Sequence, residues 1–125
     1  MWSNVSSVYF NGNGESEGDE VKLVNGPTWF FGSVSSQLSG SAGSGSTANT
    51  LLTFWDWDGE GANPPASAEI CKVGMSAFVS AIVADVGGGY VRIDNDLWVS
   101  VVDEEASNAV DLIRATIFYS GGSAA

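Results

Sequence analysis

Apolar and polar residues alternate with a period of two along most of this chain, and polar turn clusters break the alternation every ten residues or so. Residues 2–10, WSNVSSVYF, alternate weakly and predict a first strand. NGNGESEGDE, Asn11 to Glu20, predicts a polar turn region, because its Asn-Gly pairs favour positive φ. EVKLV, Glu20 to Val24, sets Val21 and Leu23 on one face and Lys22 and Val24 on the other. Asn25-Gly26-Pro27 is a strong turn signal, and TWFFGSVSSQL, Thr28 to Leu38, resumes as a strand with a bulge expected at Gly32. Together VKLV, NGP and TWFF predict a hairpin.

SGSAGSGSTAN, Ser39 to Asn49, holds only small or polar residues and predicts a flexible loop or arm. In TLLTFWDW, Thr50 to Trp57, the set Leu51, Thr53, Trp55, Trp57 opposes Leu52, Phe54, Asp56, Asp58. The second set turns from apolar to acidic, so the strand is expected to leave the core near Asp56. Residues 58–67 form a loop set by Gly59, Gly61, Pro64 and Pro65.

Residues 68–86, AEICKVGMSAFVSAIVADV, admit two readings. Met75, Phe78, Val79, Ile82, Val83 and Val86 fit helical spacing, with Gly87-Gly88-Gly89 as a cap. The β-branched cluster favours instead a long strand that turns at the three glycines into YVRID, Tyr90 to Asp94. Asp94-Asn95-Asp96 is a further turn. LWVSVVD, Leu97 to Asp103, and IRATIFY, Ile113 to Tyr119, alternate as strands. Between them Glu104 to Leu112 holds one helical turn capped by Asp103. Residues 120–125 read as a loose tail. About eight short strands between turns predict a mainly β, single-domain antiparallel β-sandwich or small barrel over residues 1–125. The helical reading of 68–86 would make it α+β.

Composition supports that class. A chain of 125 residues is one domain by size, and 44% hydrophobic with 15% charged residues is no disordered composition. Sixteen glycines, with many serines and few helix-favouring Lys, Arg, Glu and Gln, point to strands and turns. Charge then narrows the partners. Residues 1–70 hold eight acids and Lys22; residues 71–125 hold seven acids with Lys72, Arg92 and Arg114, for a net charge of −11. No cationic cluster is available for phosphates, so direct nucleic-acid binding is not expected. No apolar run approaches the ~20 residues of a membrane-spanning helix. MWSNVSSVYF lacks the charged and apolar regions of a leader, which predicts synthesis in a cytoplasm without a signal peptide.

Catalytic chemistry is thinly provided. With no histidine and the single Cys71, neither a Ser–His–Asp triad, a Cys–His pair nor an ordinary zinc site is possible. Cys71 lies between Ile70 and Lys72 in an apolar run and reads as a small core residue. The chemistry that remains gathers in LLTFWDWDGEGANPP, Leu51 to Pro65. Asp56, Asp58 and Glu60 alternate as calcium ligands do, and Gly61 falls where a calcium loop turns sharply. The twelfth position is Ser67 rather than glutamate, so the motif is half present. Trp55 and Trp57 with Asn63, Asp56 and Asp58 offer an alternative, an aromatic platform for a sugar. Trp29, Phe30 and Phe31 form a second aromatic group. Asp56 and Asp58, about 7 Å apart on one strand face, also have the form of a glycosidase pair, with nothing in the sequence to separate their pKa values.

A β-rich domain without a catalytic toolkit predicts a non-enzymatic structural or assembly protein that needs no cofactor. Within that class the expected role is a viral virion component, such as a bacteriophage capsid decoration, head or tail protein, self-associating or bound to other virion proteins. A carbohydrate-binding module or lectin, and a small membrane-active or insecticidal β-sandwich, are the alternatives.

Overall fold

β-branched and aromatic residues at alternate positions fold as strands because each strand can bury one row and expose the other. In the computed structural model, which describes residues 4–37, 50–75, 82–85, 89–103 and 109–125, they form β1 (Ser6–Asn11), β2 (Val21–Asn25), β3 (Thr28–Gln37), β4 (Thr50–Trp57), β5 (Glu69–Met75), β6 (Ile82–Asp85), β7 (Val91–Ile93), β8 (Asp96–Asp103), β9 (Ile113–Ser120) and β10 (Ser123–Ala124). Single 3-10 turns at Ala66–Ala68 and Ala109–Leu112 precede β5 and β9.

All pairings are antiparallel, in two sheets. The first runs β1-β9-β3, with β6 and β7 end to end along the far edge of β3; the second runs β10-β2-β8-β4-β5. Counting β6 and β7 as one lane and setting aside the two-residue β10, the fold has eight lanes. They pair from the outside of the chain inwards: β1 with β9, β2 with β8, β3 with β6 and β7, and β4 with β5. This nested pairing, divided between two facing sheets, is the jelly-roll form of the β-sandwich. The connection between β4 and β5 is its innermost turn.

The core lies between the sheets. Leu97, Val99 and Val101 of β8, Leu52 and Phe54 of β4, Phe30 of β3 and Ile113, Ala115 and Ile117 of β9 are buried there. The inner side of β3 turns polar beyond Phe30, but its groups are paired. Ser33 and Ser35 hydroxyls lie 3.1 Å apart, and Thr50 Oγ1 donates to Gln37 Oε1 at 3.1 Å. Among the described residues no buried side-chain nitrogen or oxygen lacks a partner, as interior polar groups require. Cys71 faces Phe54 in the register and packs half-buried against the core. No helix of the described residues is long and apolar enough to cross a membrane.

The mainly β sandwich is as expected; several details differ. The hairpin expected around Asn25-Gly26-Pro27 does not form, because β2 and β3 belong to opposite sheets. The turn carries the chain across, with a cis Gly26–Pro27 bond, and packs against the turn before β8. A Cβ on Gly26 would lie 1.7 Å from Asn95 O, so only glycine fits there. In 68–86 the described residues are strand, not helix, and they split between sheets as β5 and β6. β7 does not pair with β6 either: both run antiparallel to β3, β6 against Gly32–Ser35 and β7 against Thr28–Phe30. The tail is partly tied down, since Ser123 and Ala124 pair with Asn25 and Val24. The bulge at Gly32 is present, with φ 127° and a register shift between Phe30 and Gly32. The loop expected over 39–49, and residues 104–108 of the expected helical turn, lie outside the described residues.

Candidate functional site

The acidic stretch that the sequence singled out meets two other turns, Asp94-Asn95 and Asn25–Pro27, at one end of the sandwich. β4 and β8 run side by side with Trp55 opposite Trp98 and Trp57 opposite Asp96. This register brings the innermost turn of the roll, starting at Asp58, against the Asp94-Asn95 turn. An open cleft of about 450 Å³ lies between them, lined by Asp56, Trp57, Asp58, Glu60, Pro65, Ser67, Ala68 and Asn95.

Every tryptophan N–H at this corner is used inside the molecule. Trp57 points to the outer side of its sheet, yet is only 6% exposed, because the chain after Asp58 folds back over it. Its Nε1 donates to Glu60 O at 3.1 Å, and its ring lies 4.7 Å from that of Trp98. Trp98 Nε1 donates to Trp57 O at 3.0 Å, and Trp55 Nε1 to Ser100 Oγ at 3.0 Å. The Lys22 ammonium sits 5.5 Å from the Trp98 ring centre and 3.6 Å from Asp96.

The carboxylates are equally committed. Asp56 Oδ2 accepts from Asp94 N at 3.1 Å and Oδ1 from Asn95 N at 2.9 Å, so one side chain closes the turn before β8. Asp96 Oδ1 accepts from Gly26 N at 2.9 Å and fastens the crossing turn. Asp58 Oδ1 accepts from Glu60 N at 2.9 Å, a local Asx turn. Such charge-assisted bonds to backbone amides are stronger than neutral ones.

Of the residues read from sequence as calcium ligands, Asp56, Asp58 and Glu60 all line the cleft, but among the described residues no three acidic or cysteine side chains group around one point. Of the residues read as a sugar platform, Trp57 contributes a buried ring to the cleft, while Trp55 and the exposed Asn63 stand outside it. Asn95, Asp96, Trp98 and Lys22 were missed. Only the alternation of 97–103, which puts Trp98 on the outer face with Trp55, carried a local hint; the rest follows from strand pairing between distant segments. The rim that remains open, Asp58, Glu60, Ser67 and Asn95 around a tryptophan floor, offers hydrogen-bonding groups to a polyhydroxylated or basic ligand. One titrating group is visibly perturbed: burial, and secondarily the Glu69 carboxylate, raise the Cys71 thiol above its ordinary pKa. The chain matches no known family model, and neither the curated proteins nor the solved structures contain a match to it.

Proposed function

We propose that this chain is a non-enzymatic building block of a virus particle, a capsid decoration, head or tail protein of a bacteriophage type. The observation that carries the reading is the nested strand order, 1-9-3 with 6 and 7 against 2-8-4-5. Jelly rolls serve as viral capsid domains, as lectins and as cupins, so the analogy is one of fold and not of a site. The corner chemistry agrees with a constructional role. Its carboxylates and indoles hold three turns together, as a module needs that must keep its shape among many copies. The net charge of −11 keeps newly made copies apart until specific surfaces meet. In this reading the protein is made in a cytoplasm and acts in the virion, beside copies of itself or other virion proteins, without nucleic-acid contact.

The test is mass spectrometry of purified particles from the source culture. The expected result is recovery with the particles at many copies each; a protein left wholly in the soluble fraction overturns the reading. The cleft over Trp57 favours one second reading, carbohydrate binding through Asp58, Glu60 and Asn95. A glycan array on which Asp58→Ala abolishes a specific signal would establish it.

A further inference from the structure

A β-sheet that ends in solvent leaves a row of backbone donors and acceptors unpaired, and soluble proteins guard such edges with charge, proline, bulges or brevity. Three of the four edges here are guarded. β5 carries Glu69 and Lys72, which pair at 3.4 Å. β10 is two residues long. The lane of β6 and β7 consists, among the described residues, of strands of four and three residues and carries Arg92. The fourth edge, β1, has none of these devices. It pairs all six of its residues with β9 in unbroken register, and among the described residues no strand covers its other side. No charged residue stands between Asn4 and Gly14, in a chain that carries 15 acids. Tyr9 on its outward row is 60% exposed, and Val5, the residue before the strand, is 50% exposed.

We propose that β1 pairs with β1 of a second copy, antiparallel about a two-fold axis, so that the first sheets of two molecules become one continuous sheet. A second copy fits this edge because antiparallel pairing about a two-fold is self-complementary, and because a neutral strip is where two copies of charge −11 meet with least repulsion. The outward row must face the outward row, so the register joins residues of the same parity. Placing Ser7 opposite its own copy sets Val5 against Tyr9 of the partner on both sides of the axis. Both exposed apolar side chains then gain a cross-strand neighbour. Self-association belongs to the function proposed above, and this names the surface; the two are nevertheless tested apart.

Sedimentation equilibrium of the full chain at low and high NaCl is the experiment. A dimer is expected that tightens as salt rises, since screening relieves the repulsion of the two acidic bodies. Ser7→Lys sets like charges across the axis and is expected to weaken the dimer about tenfold or more. Tyr9→Lys, also at an exposed position, is a second variant should the first fold poorly. In a Cys71→Ser background, Ser7→Cys is expected to give covalent dimers with a short bismaleimide, and Ser67→Cys, at the opposite corner, is not. A chain that stays monomeric to millimolar concentration at both salts overturns the proposal, as does a dimer indifferent to both lysines. A β1 dimer never found in particles would remove only the virion reading, and a monomeric virion protein only this one.

Discussion

Two aromatic groups stand on opposite sheets, and they are built differently. At the corner, Trp57 and Trp98 lie among carboxylates, and their polar atoms are bonded to backbone: Trp57 to Glu60, Trp98 to Trp57, Asp56 to Asp94 and Asn95. On the outer side of the first sheet, Trp29 is held by rings and a cation. Arg92 stacks 4.9 Å from its centre and Tyr90 meets it edge-on at 5.1 Å, with Phe31 6.2 Å from Tyr90. Tyr90 is 51% exposed, and Arg92 reaches the 81% exposed Asp94 carboxylate at only 3.8 Å. Tryptophan beside aspartate in sequence thus turned out to be architecture, while aromatic residues remote in sequence built open surface.

The largest expected effect tests that contrast directly. Trp57→Ala removes a buried ring that Trp98 and the 58–60 turn rest on, and is expected to destabilise the fold by about 3–5 kcal/mol. Trp29→Ala removes a half-buried ring and one cation–π contact, for about 1–2 kcal/mol. Urea denaturation of both variants measures the difference. Equal losses would mean that the patch is as structural as the corner.

A smaller effect separates carboxylates that look alike in sequence. Asp56→Ala strips the acceptor from two backbone amides at the rim of the sandwich, and is expected to cost about 1–2 kcal/mol, less than a fully buried pair because water reaches the turn. Asp94→Ala breaks one long, exposed ion pair and is expected to cost under about 0.5 kcal/mol. The same denaturation curves report both, and an Asp56→Ala variant of unchanged stability would show that the turn closes without its carboxylate.

The sequence made the strands of the second sheet legible because their patterns are local. Leu97, Val99 and Val101 alternate with Trp98, Ser100 and Val102, and the structure buries the first set. The bulge at Gly32 was legible for the same reason, since a glycine within an apolar strand has few other uses. The turn at Asn25-Gly26-Pro27 was recognised, but not its destination. A turn signal states that the chain changes direction; whether the next strand joins the same sheet depends on which edges β9 and β8 have already taken, some 70 to 90 residues later. The 68–86 run misled in a related way, because its described residues supply two strands, β5 and β6, on opposite sheets. At the candidate site, Asp56, Trp57, Asp58 and Glu60 were legible as a cluster. That Asp56 serves the Asp94-Asn95 turn was not, because the partner arrives only with β8.

The smallest expected effect concerns Cys71, which belongs to neither aromatic group but lies on β5, beside the corner's own strand β4. Burial raises its thiol, and the nearby Glu69 carboxylate adds to the shift. A thiol that prefers its neutral form in the folded state binds its proton more tightly there than in the unfolded chain. Its contribution to stability is therefore fully present below the unfolded thiol's pKa and is lost as pH rises through the higher, folded value. Reaction with a thiol-specific reagent is expected to follow the same order, slow in the native protein at pH 8 and accelerating only at pH above that of the unfolded chain. Because burial outweighs the carboxylate, Glu69→Gln is expected to move this profile only slightly toward lower pH. A large move would transfer the cause to Glu69; native reactivity equal to that of the urea-unfolded chain would mean that β5 opens readily and does not hold Cys71 against Phe54.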